Sequence, residues 1–250
     1  MKIFIIGGTS GIGLATAIQY LEAGHRVGIC GRDIQKVKLN KDYPLLQLYQ
    51  LDVYDKDALN KAITDFAGDV LDIMIYSAGN YSDSSLNKLS YEDSTNMLRV
   101  NIAGAVNALE VTRDIMYRQQ RGHIAIIASV SGLLDYPKAT IYGKTKRALI
   151  QIADAYRRAL SDFGINITVI APGYVNSDKL RELNDHDLSK KPFVVGCEYA
   201  ATKIIEGIEK NKEIVIFPSR MKYLIRLLSC LPKSLIGFVM YKKAKWSQKK

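Results

Sequence analysis

Short apolar runs punctuate the first 217 residues, and longer segments of mixed polarity separate them. Lys2-Ile3-Phe4-Ile5-Ile6 is largely β-branched and stops at glycine, the pattern of a strand buried on both faces. Similar runs stand at 26–30, 48–53, 71–76, 123–128, 165–170 and 214–217. Between them apolar positions recur at three- and four-residue spacing, as in Leu14, Ala17, Ile18 and Leu21. The same helical period runs through 92–120 (Met97, Val100, Ala105, Leu109, Ile115), through Tyr156, Leu160 and Phe163, and from Tyr199 to Glu209. Strands alternating with helices predict an α/β, Rossmann-like doubly wound parallel sheet of about seven strands, helices on both faces. No linker or repeat divides residues 1–218, which read as one domain; residues 219–250 read as an apolar, basic extension.

The connections carry the candidate chemistry. Gly7-Gly8-Thr9-Ser10-Gly11-Ile12-Gly13 joins the first strand to the first helix. A glycine-rich turn there brings backbone N–H groups against a pyrophosphate at the helix N-terminus. The second strand ends at Gly31-Arg32-Asp33, where an adenosine ribose is read: an acid takes a 2′-hydroxyl, a base suits a 2′-phosphate. Arg32 argues for NADP; the adjacent Asp33 keeps NAD open unless it caps a following helix. Asp52 and Val53 end the third run, within reach of an adenine edge. Ala78 and Gly79, after the fourth, are small enough for close backbone approach to a cofactor.

Tyr142 and Lys146 stand four apart at the head of a helical segment, so both side chains share one face. A free phenol titrates near pKa ~10, and a neighbouring ammonium lowers that by about 1–3 units, toward a usable proton donor and acceptor. Asn101 is a polar group inside an apolar helical pattern. Ser129 follows the fifth run, at the strand end where open α/β sheets place ligands. The polar stretch 176–197 reads as a lid.

Charge changes the picture only at one end. The chain has 35 basic and 25 acidic residues, net +10, yet nine of the basic residues and no acid lie from Arg220 onward, leaving the body at +1. That distribution argues against a nucleic-acid footprint. Cys30, Cys197 and Cys230 are odd in number and widely spaced, which favours a reduced, cytoplasmic setting, and the scattered histidines complete no metal set. The first apolar run is too short for a secretory leader. In the extension, Leu224, Leu227, Leu228 and Leu231 fall on one helical face, while Arg226, Pro232 and Lys233 break the run short of the ~20 residues a membrane span needs. With Trp246 and the terminal lysines, 222–250 fits peripheral contact with the inner face of an anionic membrane, or packing over a partner subunit or the substrate pocket.

Taken jointly, these residues resemble the short-chain dehydrogenase/reductase family, over about residues 1–218. Gly7, Gly11 and Gly13 match its T-G-x3-G-x-G, with Ile6 in place of threonine; Ser77-Ala78-Gly79 stands where the family has N-A-G. Asn101-Ile102-Ala103-Gly104 matches its helical asparagine, Ser129 precedes Tyr142 by thirteen residues, and Pro172-Gly173 matches its P-G. The resemblance implies roles. Tyr142 is the general acid in reduction and base in oxidation. Lys146 lowers its pKa and holds the nicotinamide ribose. Ser129 donates to the substrate oxygen, and Asn101 holds a water. Gly7, Thr9, Ser10, Gly11, Ile12 and Gly13 hold the pyrophosphate; Pro172, Gly173, Val175 and Ser177 line the nicotinamide side, Ser177 where a threonine meets the carboxamide. It also implies a homodimer or homotetramer through the helix near 144–163, with Ala148, Leu149, Ile152, Ala155, Tyr156 and Leu160. The expected activity is NAD(P)(H)-dependent hydride transfer on a small-molecule or lipid-linked carbonyl, such as a lipid-linked keto-sugar. A non-catalytic dinucleotide sensor or scaffold is the alternative on the same fold.

Overall fold

A computed structural model describes residues 1–82, 90–137 and 139–238. Seven strands form one parallel sheet: β1 (Lys2–Ile6), β2 (Arg26–Gly31), β3 (Leu46–Gln50), β4 (Ile73–Tyr76), β5 (Gly122–Ile127), β6 (Ile165–Pro172) and β7 (Ile214–Phe217), in the order β3-β2-β1-β4-β5-β6-β7. The chain winds outward from β1 to β3, then returns to add β4 on the other side of β1. The turns after β1 and β4 therefore meet at the point where strand order reverses, the place such sheets bind ligands.

Alternate residues of each strand feed two cores. Phe4, Ile6, Met74, Tyr76, Ile124 and Ile126 pack under α2 (Lys56–Ala67), α4 (Gly104–Gln119) and α5 (Ile141–Leu160). Ile3, Ile5, Ile73, Ile75 and Ala125 pack under α1 (Gly11–Glu22) and α7 (Cys197–Glu209). Burial on both faces is why these strands read as apolar runs.

The structure corrects three expectations. First, the third strand ends at Gln50, not Val53. Beyond it Asp52 turns back to accept from the Tyr54 N–H at 3.0 Å, while Val53 is buried against Gly104 of α4. Second, the helix expected over 92–120 divides into α3 (Tyr91–Leu98) and α4, separated by a π-helical turn, Arg99–Ala103. The Tyr76 hydroxyl donates to the Val100 carbonyl in that turn at 2.5 Å. Third, the buried face of α8 (Ser219–Ser229) is Met221 and Ile225, flanked by Leu224 and Leu228 and packed on Leu134, Tyr136 and Tyr174. Leu227 lies outward, 67% exposed. Residues 233–238 are again helical, and Lys233 pairs with Asp135 at 2.5 Å. The lysine-rich end with Trp246 lies outside the described residues.

Candidate active site

A groove starts at the switch point. Gly7 has φ +80°, and a Cβ there would lie 2.5 Å from the Ala78 nitrogen, so the turns after β1 and β4 touch backbone to backbone. The Gly7 and Gly8 N–H groups both donate to the Cys30 carbonyl, fastening the turn to β2. Thr9 rests against Gly31 at the end of β2. Ser10 is the extended N-cap of α1 but makes no side-chain cap, so the first-turn N–H groups, Ile12 among them, are available to an anion. A turn in which a Cβ at Gly7 or Gly13 would strike backbone, with free N–H groups at its helix end, suits a dinucleotide pyrophosphate.

At the end of β2, Asp33 accepts from the Gln35 N–H at 3.0 Å and pairs with Lys36 at 3.7 Å. It caps a turn rather than a helix. Arg32 is exposed and takes part in none of the ion pairs among the described residues. On the far side, Pro172 ends β6, Gly173 follows, and Val175 is buried and bridged to Val195. The Ser177 hydroxyl, expected to face a ligand, accepts from the Leu180 N–H at 3.3 Å and caps α6 (Asp178–Glu182).

Thr140 caps α5 by accepting from the Gly143 N–H, which sets Tyr142 and Lys146 on the first turns of that helix. Ser129, extended at the end of β5, opens a single 3-10 turn, Val130–Gly132. A Cβ on Gly132 would come within 2.7 Å of the Lys146 backbone, so this turn is pressed onto α5. Ser129 Oγ receives the Ser131 hydroxyl at 2.9 Å, and its hydroxyl lies near enough to the Tyr142 phenol to lower that group's pKa against the effect of burial. Lys146 is 4% exposed; its Nζ donates to the Ile127 carbonyl at 3.0 Å and lies 5.8 Å from the Tyr142 ring centre. Asn101, fully buried in the π-helical turn, accepts from the Asn80 N–H at 2.8 Å and donates to the Asn80 carbonyl at 2.9 Å and to Thr145 Oγ at 3.1 Å. Thr145 donates in turn to the Tyr142 carbonyl at 2.8 Å. Tyr142, Lys146, Ser129 and Asn101 are thus brought together, although they come from three separate elements.

One electrostatic expectation fails. Burial pushes the Tyr142 phenol up to about 12; the Ser129 hydrogen bond opposes this and Tyr81, edge-on at 4.8 Å, adds to it. Burial, with the nearby Lys179 charge adding to it, brings Lys146 itself down to about 8, so its ammonium is lost before a phenol at about 12 would ionise. At neutral pH the phenol is a protonated donor beside a buried ammonium. Two hydroxyl groups on neighbouring elements then face one small region, an arrangement that stabilises negative charge on a single oxygen.

Sequence reading missed Thr145, Ser131, Asn80 and Tyr81. Thr145 and Ser131 carry one signal, their adjacency to Lys146 and Ser129. Asn80 meets Asn101 through its backbone, which side-chain type does not report. Among the described residues no helix is long and apolar enough to cross a membrane, and no acid, histidine and cysteine cluster could hold a metal.

Residues 1–188 match the short chain dehydrogenase family. An uncharacterized oxidoreductase of Staphylococcus aureus (strain MW2) is 31% identical over 199 residues, spanning 76% of this chain and 84% of the relative. The solved structure of ElxO with NADP bound superposes with a TM-score of 0.77 at 26% identity, covering 86% of this chain and 96% of that one. A short chain dehydrogenase from Burkholderia cenocepacia in complex with NADP has a TM-score of 0.81 at 16% identity, over 94% and 95% of the two chains.

Proposed function

The chain belongs to the short-chain dehydrogenase family, and from that premise we propose that it is an NADP(H)-dependent oxidoreductase acting on a carbonyl/secondary alcohol couple. The observation that carries this reading is the grouping of Tyr142, Ser129 and the buried Lys146 where the turn after β5 is pressed onto α5. The nicotinamide, when bound, supplies or accepts the hydride. Gly7, Thr9, Ser10, Gly11, Ile12 and Gly13 would hold the pyrophosphate, Arg32 the 2′-phosphate, and Asp52, Val53, Ala78 and Gly79 the adenosine wall. Pro172, Gly173, Val175 and Ser177 would line the nicotinamide side. Tyr142 gives its proton to the carbonyl oxygen in reduction and takes it back in oxidation, while Ser129 donates to the same oxygen. Lys146 orients the nicotinamide ribose, and Asn101 fixes the backbone of Asn80 beneath the site. Residues 1–218 would form this catalytic unit.

Turnover tests the reading: panels of ketones, sugars and acyl-thioesters with each cofactor should reveal NADPH oxidation faster than NADH oxidation. NADPH binding without turnover of any class would favour the sensor instead.

Cofactor affinity should depend on pH, with a sign set by Lys146. Its free-protein pKa is lowered to about 8, and an anionic ligand favours its charged form. Below that pH the ammonium is already present. Above it, binding must recruit a proton, so Kd rises by up to ~10-fold per pH unit. Titrating NADPH from about pH 7 to about pH 9 checks this; Lys146→Met should make the profile shallower, and a flat wild-type profile would remove Lys146 from the cofactor site.

We infer that the substrates are lipid-linked carbonyls such as keto-sugars, met by a cytoplasmic enzyme at a membrane surface. Support comes from α8, where Tyr223 and Leu227 are 66% and 67% exposed on the face also bearing Arg226, while the opposite face packs on Leu134 beside the Ser129 turn. Wild type should sediment with anionic vesicles at low salt and Leu227→Glu should not; wild type left in the supernatant would rule the surface reading out. Assembly as a homodimer or homotetramer is part of the same proposal. It rests on a smaller apolar surplus than expected, since Leu149 and Leu160 are buried and Ile152 and Tyr156 pack on the core, leaving Ala155 exposed. A monomeric mass by light scattering would contradict it.

A further inference from the structure

We propose that Lys179 is a further dinucleotide-binding residue, the cation that meets the pyrophosphate from the lid side of the groove. This rests on the reading of the chain as a dinucleotide-dependent enzyme. Its ground is the path of the lid. Ser177, which caps α6, lies on the glycine turn: its Cβ is 3.5 Å from where a Cβ on Gly11 would stand. Two residues later Lys179 reaches the opposite wall, its Nζ 3.3 Å from the Gly79 carbonyl and 3.1 Å from Asn80 Oδ1. Residues 177–179 therefore bridge the turn after β1 and the turn after β4, the two walls between which a pyrophosphate would lie.

The charges along this line run in series. A Cβ on Gly79 would stand 3.4 Å from Lys146 Nζ, so two ammonium groups flank the same short backbone segment. Burial first, and the Lys179 charge second, hold Lys146 below an ordinary lysine, and desolvation followed by the Arg32 charge does the same to Lys179. Glu182, on α6 itself, acts on Lys179 in the opposite direction but forms no ion pair with it among the described residues. Cations spaced this way repel one another and call for an anion with charge at matching positions. With Arg32 at the 2′-phosphate end and Lys146 at the nicotinamide ribose, Lys179 stands at the middle, where the dinucleotide carries its pyrophosphate. A lysine that only pinned the lid to Gly79 would affect melting rather than dinucleotide affinity.

Titration calorimetry with NADPH and NADH separates these roles. Lys179→Gln should weaken both by about tenfold and leave their ratio unchanged. Lys179→Arg should restore most of the loss, and Arg32→Ala should weaken NADPH alone. Melting of each variant without dinucleotide establishes that it is folded. The proposal is overturned if folded Lys179→Gln binds both cofactors as wild type does, or if it loses NADPH alone, which would move the lysine to the 2′-phosphate. Wild type that bound neither dinucleotide would overturn the underlying enzyme reading as well.

Discussion

Gly13→Ala should lose most of the protein's dinucleotide affinity and melt several degrees below wild type. The added Cβ would lie 2.3 Å from the Gly7 carbonyl oxygen and 3.1 Å from the Gly8 Cα, both backbone atoms. Neither can retreat. Gly7 donates to the Cys30 carbonyl at 2.9 Å, and Ala78 is packed on its other side. Overpacking of this kind costs about 1–3 kcal/mol, and in a chain of this size each kcal/mol lowers the melting point by about 2–4 °C. Because α1 or the glycine turn must shift, the cradle for the pyrophosphate opens, and NADPH Kd should rise by tenfold or more, on the order of 1.4 kcal/mol. Gly24→Ala is the control: its φ is +78° but nothing lies within 4 Å of the new Cβ, so it is strained without touching the groove. Wild-type affinity and melting in Gly13→Ala would show that α1 does not need this close approach.

The strand ends that carry the site were legible because a parallel sheet buried on both faces leaves apolar runs, each stopped by small or polar residues. The spacing of Tyr142 and Lys146 was legible because helical period alone puts them on one face. What was not legible depends on contacts between distant elements. The residues of 92–120 keep helical character throughout; the π-helical turn coincides with Tyr76 docking on Val100 and Asn101 grasping Asn80, neither of which local composition reports. The leucines of the extension give a genuine stripe, yet periodicity does not say which stripe meets Leu134, and Met221 and Ile225 do. The sign of the Tyr142 shift was missed for a related reason. Spacing places a lysine near a phenol, but it does not report the burial that raises the phenol and lowers the lysine.

Tyr142→Phe removes one hydroxyl from the site and should slow carbonyl reduction by ~10²–10⁴, the usual worth of general acid catalysis. The loss is chemical rather than structural. The ring keeps its edge contact with Tyr81, and the Thr145 hydroxyl still donates to the backbone carbonyl of residue 142. In the proposed role Ser129, still supported by Ser131, would continue to donate to the substrate oxygen, so a residual rate should remain. The phenol's pKa of about 12 keeps the proton in place across the working range, so the wild-type rate in the reducing direction should not fall with pH through loss of that proton. The direct measurement is a single turnover: enzyme loaded with NADPH is mixed with a ketone substrate found in the turnover panel, and the loss of NADPH absorbance is followed in wild type and Tyr142→Phe. The expected result is unchanged NADPH affinity with hydride transfer slowed by ~10²–10⁴; equal decay in the two proteins, both folded and both loaded, would contradict the assignment of Tyr142 as the proton donor.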